Sequence, residues 1–124
     1  MVQPSPKLPR VAIYQTDSQG RCVYVNAALC ELFGMSEKDA LGVGWLDRVH
    51  PEDRDRVSAA RQYATSTIPV FHIEYRVHHN GSTRWVAAFS TALMEGGTFA
   101  GRIGTITDIT DAKKQFPEED SGSG

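Results

Sequence analysis

Cysteine is scarce in this chain: Cys22 and Cys30 are the only two, eight residues apart. A disulfide framework needs more, and metal-binding pairs sit closer, so both read as reduced thiols of a cytoplasmic protein. No apolar run approaches the ~20 residues of a membrane span. Met1 to Arg10 carries three prolines and no apolar signal core, so it does not read as a secretion signal. A basic block is also missing. Thirteen Lys and Arg against fifteen Asp and Glu leave a formal net charge of -2, which offers a phosphate backbone little and argues against nucleic-acid binding.

Catalytic and metal motifs are equally sparse. There is no Gly-x-Ser-x-Gly, no phosphate loop and no Gly-x-Gly-x-x-Gly, and Gly42-Val43-Gly44 is too short for a dinucleotide fingerprint. Asp53 and Asp55 stand at a helix start and read as dipole complements. No His-x-x-x-His or Cys-x-x-Cys spacing occurs, and His78-His79 beside a turn reads as solvated rather than as a metal pair. The chain is predicted to be non-enzymatic.

What is present is one domain's worth of core: 124 residues, 40% hydrophobic and 23% charged. Residues 1–9 read as an extended leader, 10–113 as the folded domain, and 114–124 as a disordered or linker tail. Val11–Thr16 and Cys22–Val25 are β-rich runs around the turn Asp17-Ser18-Gln19-Gly20. Asn26 can cap a helix over 27–33 with Leu29, Leu32 and Phe33 on its apolar stripe and Gly34 after it. Ser36 with Asp39 opens a second short helix, closed by Gly42 and Gly44. A third helix is predicted from Pro51 to about Thr65, with Val57, Ala60 and Ala64 facing inward, before Pro69. Val70–His78, Thr83–Met94 and Phe99–Ile109 are strands joined by Asn80-Gly81 and Gly96-Gly97. The order ββαααβββ predicts an α+β fold with a five-stranded antiparallel sheet.

Two-residue loops set the register of those hairpins. Paired positions then sum to 161 across the first and 193 across the second, which places Arg76, Trp85 and Asp108 level with one another. Glu74, Arg76, Trp85, Ala87, Phe89, Ile106 and Asp108 fall on one face. Phe71, Ile73, Tyr75, Val77, Val86, Ala88, Ile103, Thr105 and Ile109 fall on the other, which is the more apolar and is assigned to the helices. A one-residue bulge would swap part of this assignment.

Several stretches resemble the PAS domain family of the sensory-box type, in the family's order and across about residues 10–113. They are Tyr14-Gln15-Thr16-Asp17 with Gly20, Val23-Tyr24-Val25-Asn26, Leu32-Phe33-Gly34 and Val49-His50-Pro51-Glu52-Asp53-Arg54. Glu74-Tyr75-Arg76-Val77, Asn80-Gly81, Arg84-Trp85-Val86, and Gly104 with Asp108-Ile109-Thr110 complete the series. The resemblance implies the sheet order 2-1-5-4-3, helices on one face, and a small-molecule pocket between helices and sheet. It implies a sensing or dimerising module that passes its signal through a helix after Asp108-Ile109-Thr110, to an effector or partner outside this chain. No kinase, cyclase or DNA-binding segment is read here, so the chain is a signal-input module, either one-domain or part of a longer protein.

The cofactor stays open. The flavin-photosensor branch of the family needs an Asn-Cys-Arg stretch where this chain has Leu41 to Asp47, without cysteine. The branch with a cinnamoyl-type chromophore needs a cysteine near the third strand, also absent. Haem through His50 is disfavoured, because His50 stands before Pro51 as a loop-closing or capping residue. The pocket is predicted to be lined by Leu29, Leu32, Phe33, Trp45 and Val57 from the helical side. Phe71, Tyr75, Val86, Ile103 and Thr105 line it from the sheet, with Ser90 as a further polar group; such walls suit a flat or aliphatic ligand. Trp85, Phe89 and Ile106 on the outer face predict a homodimer, or cover by the leader. Arg76 and Asp108 are predicted to bridge over Trp85, with Thr110 beside them at the signal exit. The alternative is a dimerisation or protein-interaction module with a filled core and no ligand.

Overall fold

The computed structural model describes residues 11–64 and 69–115. The leader over 1–9 and the tail beyond Gln115 lie outside the described residues, as does the predicted helix end at Thr65. Strands β1 (Ala12–Thr16) and β2 (Cys22–Val25) form the first hairpin. Helices α1 (Ala27–Phe33) and α2 (Glu37–Ala40) follow, then 3-10 turns at Gly44–Arg48 and Pro51–Asp53, and helix α3 (Arg54–Tyr63). Strands β3 (Val70–His79), β4 (Ser82–Glu95) and β5 (Thr98–Asp108) complete the sheet, and helix α4 (Thr110–Gln115) leaves it. All neighbours are antiparallel, in the order β2-β1-β5-β4-β3.

Local chemistry explains the helical part. The Asn26 carboxamide accepts from Leu29 N–H at 3.0 Å and caps α1. The same side chain accepts from Ile13 N–H and donates to the Val11 carbonyl, so the cap also binds the helix to β1. Ser36 caps α2 by accepting from Asp39 N–H at 3.1 Å. The single helix read from Pro51 is split. His50 Nδ1 accepts from Glu52 N–H and closes a 3-10 turn, while Asp53 turns its carboxylate away to β3 and makes no cap bond. Leu29, Phe33, Val49 and Val57 are buried over the sheet face that carries Tyr75, Val77, Val86 and Ala88. Phe33 is only 1% exposed, worth about 2–3 kcal/mol of apolar burial.

The two long hairpins differ in register. Across β3 and β4 the pairs run from Val70–Thr91 to His79–Ser82 without a shift, so Arg76 faces Trp85 as read from the sequence. Across β4 and β5 the turn opens with Glu95–Thr98 and Met94–Phe99, then shifts to Leu93–Gly101 and continues to Val86–Asp108. Ala100 is the extra residue of a bulge, and Gly101 sits at φ +136°, where a side chain is strained. A Cβ there would also collide with the Thr16 carbonyl of β1. The bulge reverses the faces of β5 beyond it. Ile106 and Asp108 turn to the helix-covered side, while Ile103, Thr105 and Ile109 turn outward, against the sequence-based assignment.

Candidate functional site

A cavity of about 90 Å³ lies between the helices and the sheet. The helical side contributes Leu29 and Phe33 from α1, Trp45 from the first 3-10 turn, and Val57, Ala60 and Arg61 from α3. The sheet contributes Phe71, Ile73 and Tyr75 from β3, and Ala88 and Ser90 from β4. Arg102 and Ile106 from β5 with Tyr14 and Thr16 from β1 close the wall, and Asp17 and Gly20 form one end at the β1–β2 turn. Alternation puts these strand residues on one face, because every second side chain points the same way.

Of the residues predicted to line the pocket, Leu29, Phe33, Trp45, Val57, Phe71, Tyr75 and Ser90 do so. Leu32, Val86, Ile103 and Thr105 do not. Leu32 packs on the opposite side of α1, beside Val11, Ala12 and Ala28. Val86 is fully buried in the core on the same sheet face. Ile103 and Thr105 are turned outward by the bulge at Ala100, and Ile103 is 39% exposed. Sequence reasoning missed Tyr14, Thr16, Cys22, Arg61, Arg102 and Ile106. Gly101, a glycine inside a strand, was the available signal for the bulge that brings Arg102 and Ile106 inward.

Polar groups gather at the β1–β2 end. Arg102 is 3% exposed; its Nε donates to Ser90 Oγ at 2.8 Å and its Nη2 to the Ser90 carbonyl at 3.2 Å. Burial works against the Arg102 charge and lowers its pKa, with Tyr14 acting the other way. Burial raises the Tyr14 phenol, moderated by its hydrogen bond to Ser90 and by Arg102. Gly104 lies where the Tyr14 ring approaches the backbone, 2.9 Å from where a Cβ would stand. Arg61 Nη1 donates to the Gly20 carbonyl at 3.0 Å. Tyr75, 3% exposed beside Trp45, keeps its proton far above neutrality because burial disfavours the phenolate. Burial likewise raises the Cys22 thiol.

The predicted outer-face constellation is divided. Arg76 does not reach Asp108. Its Nη2 and Nε donate to the two oxygens of Asp53 at 2.7 and 3.0 Å, and its backbone N–H bonds the same carboxylate. These hydrogen bonds outweigh burial and hold Asp53 at a pKa of about 2. Asp108 instead pairs with Arg84, Nε to Oδ2 at 2.9 Å, and accepts from the N–H and hydroxyl of Thr110. The Thr110 hydroxyl also accepts from Trp85 N–H. The Arg76 guanidinium does lie over the Trp85 ring at 5.4 Å, and Lys113 of α4 covers that ring at 4.6 Å. Phe89 is 45% exposed, stacked on His72, whereas Ile106 is buried on the inner face. His50 packs against His78 with ring centroids 4.9 Å apart and the rings tilted, and is not among the cavity-lining residues. Among the described residues no cluster of three metal-ligating side chains occurs.

This architecture, a five-stranded sheet with a cavity beneath short helices, is a PAS fold, and the family model for the PAS fold matches residues 8–114. The chain belongs to that family and is a PAS sensory domain. It is similar to an uncharacterized protein, y4lL, of Sinorhizobium fredii (31% identical over 110 residues, 87% of this chain). It is also similar to the C4-dicarboxylate transport sensor protein DctS of Rhodobacter capsulatus (30% over 109 residues, 84% of this chain). The chain spans only 13% and 16% of those two relatives. Among solved structures, the N-terminal domain of a diguanylate cyclase with PAS/PAC sensor from Marinobacter aquaeolei superposes with a TM-score of 0.71 at 21% identity, over 83% of this chain and 98% of that one. A sensory box histidine kinase/response regulator from Burkholderia thailandensis superposes with a TM-score of 0.63 at 26% identity, over 85% and 81%.

Proposed function

We propose that this PAS domain is a non-catalytic signal-input module whose cavity takes a small, largely apolar ligand. The observation that carries the reading is the cavity itself, walled by Leu29, Phe33, Val57, Ile73 and Ala88 where a purely structural core would be filled. Occupancy would press on the β5 wall, and β5 runs directly into α4. Three contacts tie α4 to the sheet: Thr110 to Trp85 N–H at 2.9 Å, Lys113 over the Trp85 ring, and Lys113 to Glu74 at 2.9 Å. They support α4 as the route to an effector, as does the presence of PAS sensors in the kinase and cyclase named above. We place the domain in the cytoplasm; no helix among the described residues is long and apolar enough to cross a membrane. Pressurisation with xenon, an apolar probe smaller than benzene, followed by backbone amide shifts, tests the reading. Shifts centred on Tyr75, Ala88 and Ile106 are expected, and their absence at saturation would overturn it.

A second reading, self-association, is favoured by the outer face. With the bulge in place, Val70, Phe89, Ile103 and Tyr24 lie exposed across four strands of that face. A second copy of the chain is the occupant we assign to this strip. Light scattering should show a dimer that Phe89→Glu converts to monomer; a wild-type monomer at millimolar concentration rules it out.

A further inference from the structure

We infer that the segment ahead of Val11 docks back onto its own domain, in the groove between α1 and the adjoining ends of β1, β5 and β4. The inference is independent of the ligand reading. The groove holds about 790 Å³, against about 90 Å³ for the cavity, and opens to solvent, so it has room for a stretch of chain. Its apolar lining is Val11, Ala12, Ala28, Leu32 and Ile106. Leu32, the residue of the α1 stripe that does not line the cavity, lines this groove instead.

The occupant follows from where the chain enters. Val11 itself lines the groove, its carbonyl accepts from the Asn26 carboxamide at 2.8 Å, and Ala12 beyond it is 2% exposed. The preceding residues are therefore delivered at the mouth of the groove, and a segment tethered there has a high effective concentration against any free partner. Pro4, Pro6 and Pro9 favour polyproline II, with about three residues per turn and ~3.1 Å per residue. Proline also limits the entropy lost on docking. That period sets Val2, Ser5 and Leu8 in one row with Val11, and Lys7 and Arg10 in a second. Leu8 stands one turn, ~9 Å, ahead of Val11. A chain turning along the groove sets it against the apolar lining. Charge agrees with this placement. The segment carries Lys7 and Arg10 and no acidic residue. In the groove wall Arg84 and Asp108 pair with one another at 2.8 Å, and the remaining carboxylate is Glu31. Thr107 and Asp108, which end β5, line the groove as well, so the docked segment would touch the strand end that leads into α4.

NMR on the full chain tests this. Nuclear Overhauser contacts from the Leu8 methyl groups to Leu32 and Ile106 are expected. Leu8→Asp should abolish them and move the amides of Ala28, Leu32 and Thr107, while Phe71 and Tyr75 in the cavity wall stay in place. Leu8 precedes the first strand, which keeps the variant readable. A mixture of isotope-labelled and unlabelled chains separates contacts within a molecule from contacts between molecules. Contacts found only between molecules assign the groove to a second copy and overturn the inference. Contacts from Leu8 to Phe89 or Ile103 put the segment on the outer face and overturn it too, as does the absence of any Leu8 contact with the domain.

Discussion

Arg76 and Arg102 are both drawn out of bulk water onto opposite faces of one sheet, yet their surroundings differ. Arg76 meets the Asp53 carboxylate, whose side chain is 6% exposed, in a pair formed by two oxygens and two guanidinium nitrogens. Arg102 is held by the hydroxyl and carbonyl of Ser90 on a cavity wall. A cation closed off by a carboxylate of its own fold is a structural clamp; here it ties β3 to the start of α3. Arg102 joins β5 to β4 through those two bonds on the cavity wall. The two arginines thus mark a clamp at the β3 edge and a wall of the cavity.

The largest expected effect lies beside the cavity wall. Gly101→Ala puts a Cβ against the Thr16 carbonyl at φ +136° and should cost about 3 kcal/mol or more, read as a lower urea midpoint. Asp53→Ala breaks the clamp and leaves Arg76 without its main acceptor. Since the Arg76 side chain is 25% exposed, the expected loss is about 2–3 kcal/mol, at the low end for buried pairs. The clamp also predicts a pH response. Asp53 titrates near 2 when folded and near 4 when unfolded, so its stabilisation is complete above pH 4 and is lost as pH falls toward 2. That loss should be about 2 kcal/mol, and Asp53→Asn should flatten it in acid denaturation curves.

Arg102→Met sharpens the contrast, because replacing a desolvated cation with an apolar chain of similar length removes a burial penalty. Stability should change by less than ~1 kcal/mol, and a loss matching that of Asp53→Ala would show that Arg102 is as structural as Arg76. Lys113→Ala is the smallest change. It removes a partly exposed ion pair with Glu74 and a cation over Trp85, at about 0.5 kcal/mol or less, and should shift Trp85 fluorescence without moving the unfolding midpoint.

Much of the fold was legible because its signals are local. Asn26, Ser36 and Gly34 terminate helices by bonds within a few residues, and Asn80-Gly81 sets the β3–β4 register that brings Arg76 to Trp85. Part of the pocket's helical wall was legible for the same reason: Leu29, Phe33 and Val57 are the buried stripe of their helices, whatever lies beneath. Arg76 illustrates the limit. Its place on the sheet was readable, but its partner was read as Asp108, two strands away, when Asp53 approaches from a different layer.

By itself the sequence determined the order of elements, the positions of both long hairpins, the helix caps and the α+β class, because periodicity, turns and caps act between neighbours in the chain. Only the tertiary structure decided which way β5 faces. Gly101 packs against the Thr16 backbone, 85 residues away, and the one-residue bulge beside it turns Ile103 and Thr105 outward and Ile106 inward. That same step carries Arg102 into the cavity. An extra residue in one strand reverses every side chain beyond it; Gly101 is a local hint of such a step, but the contacts with β1 that fix it are made across the sheet.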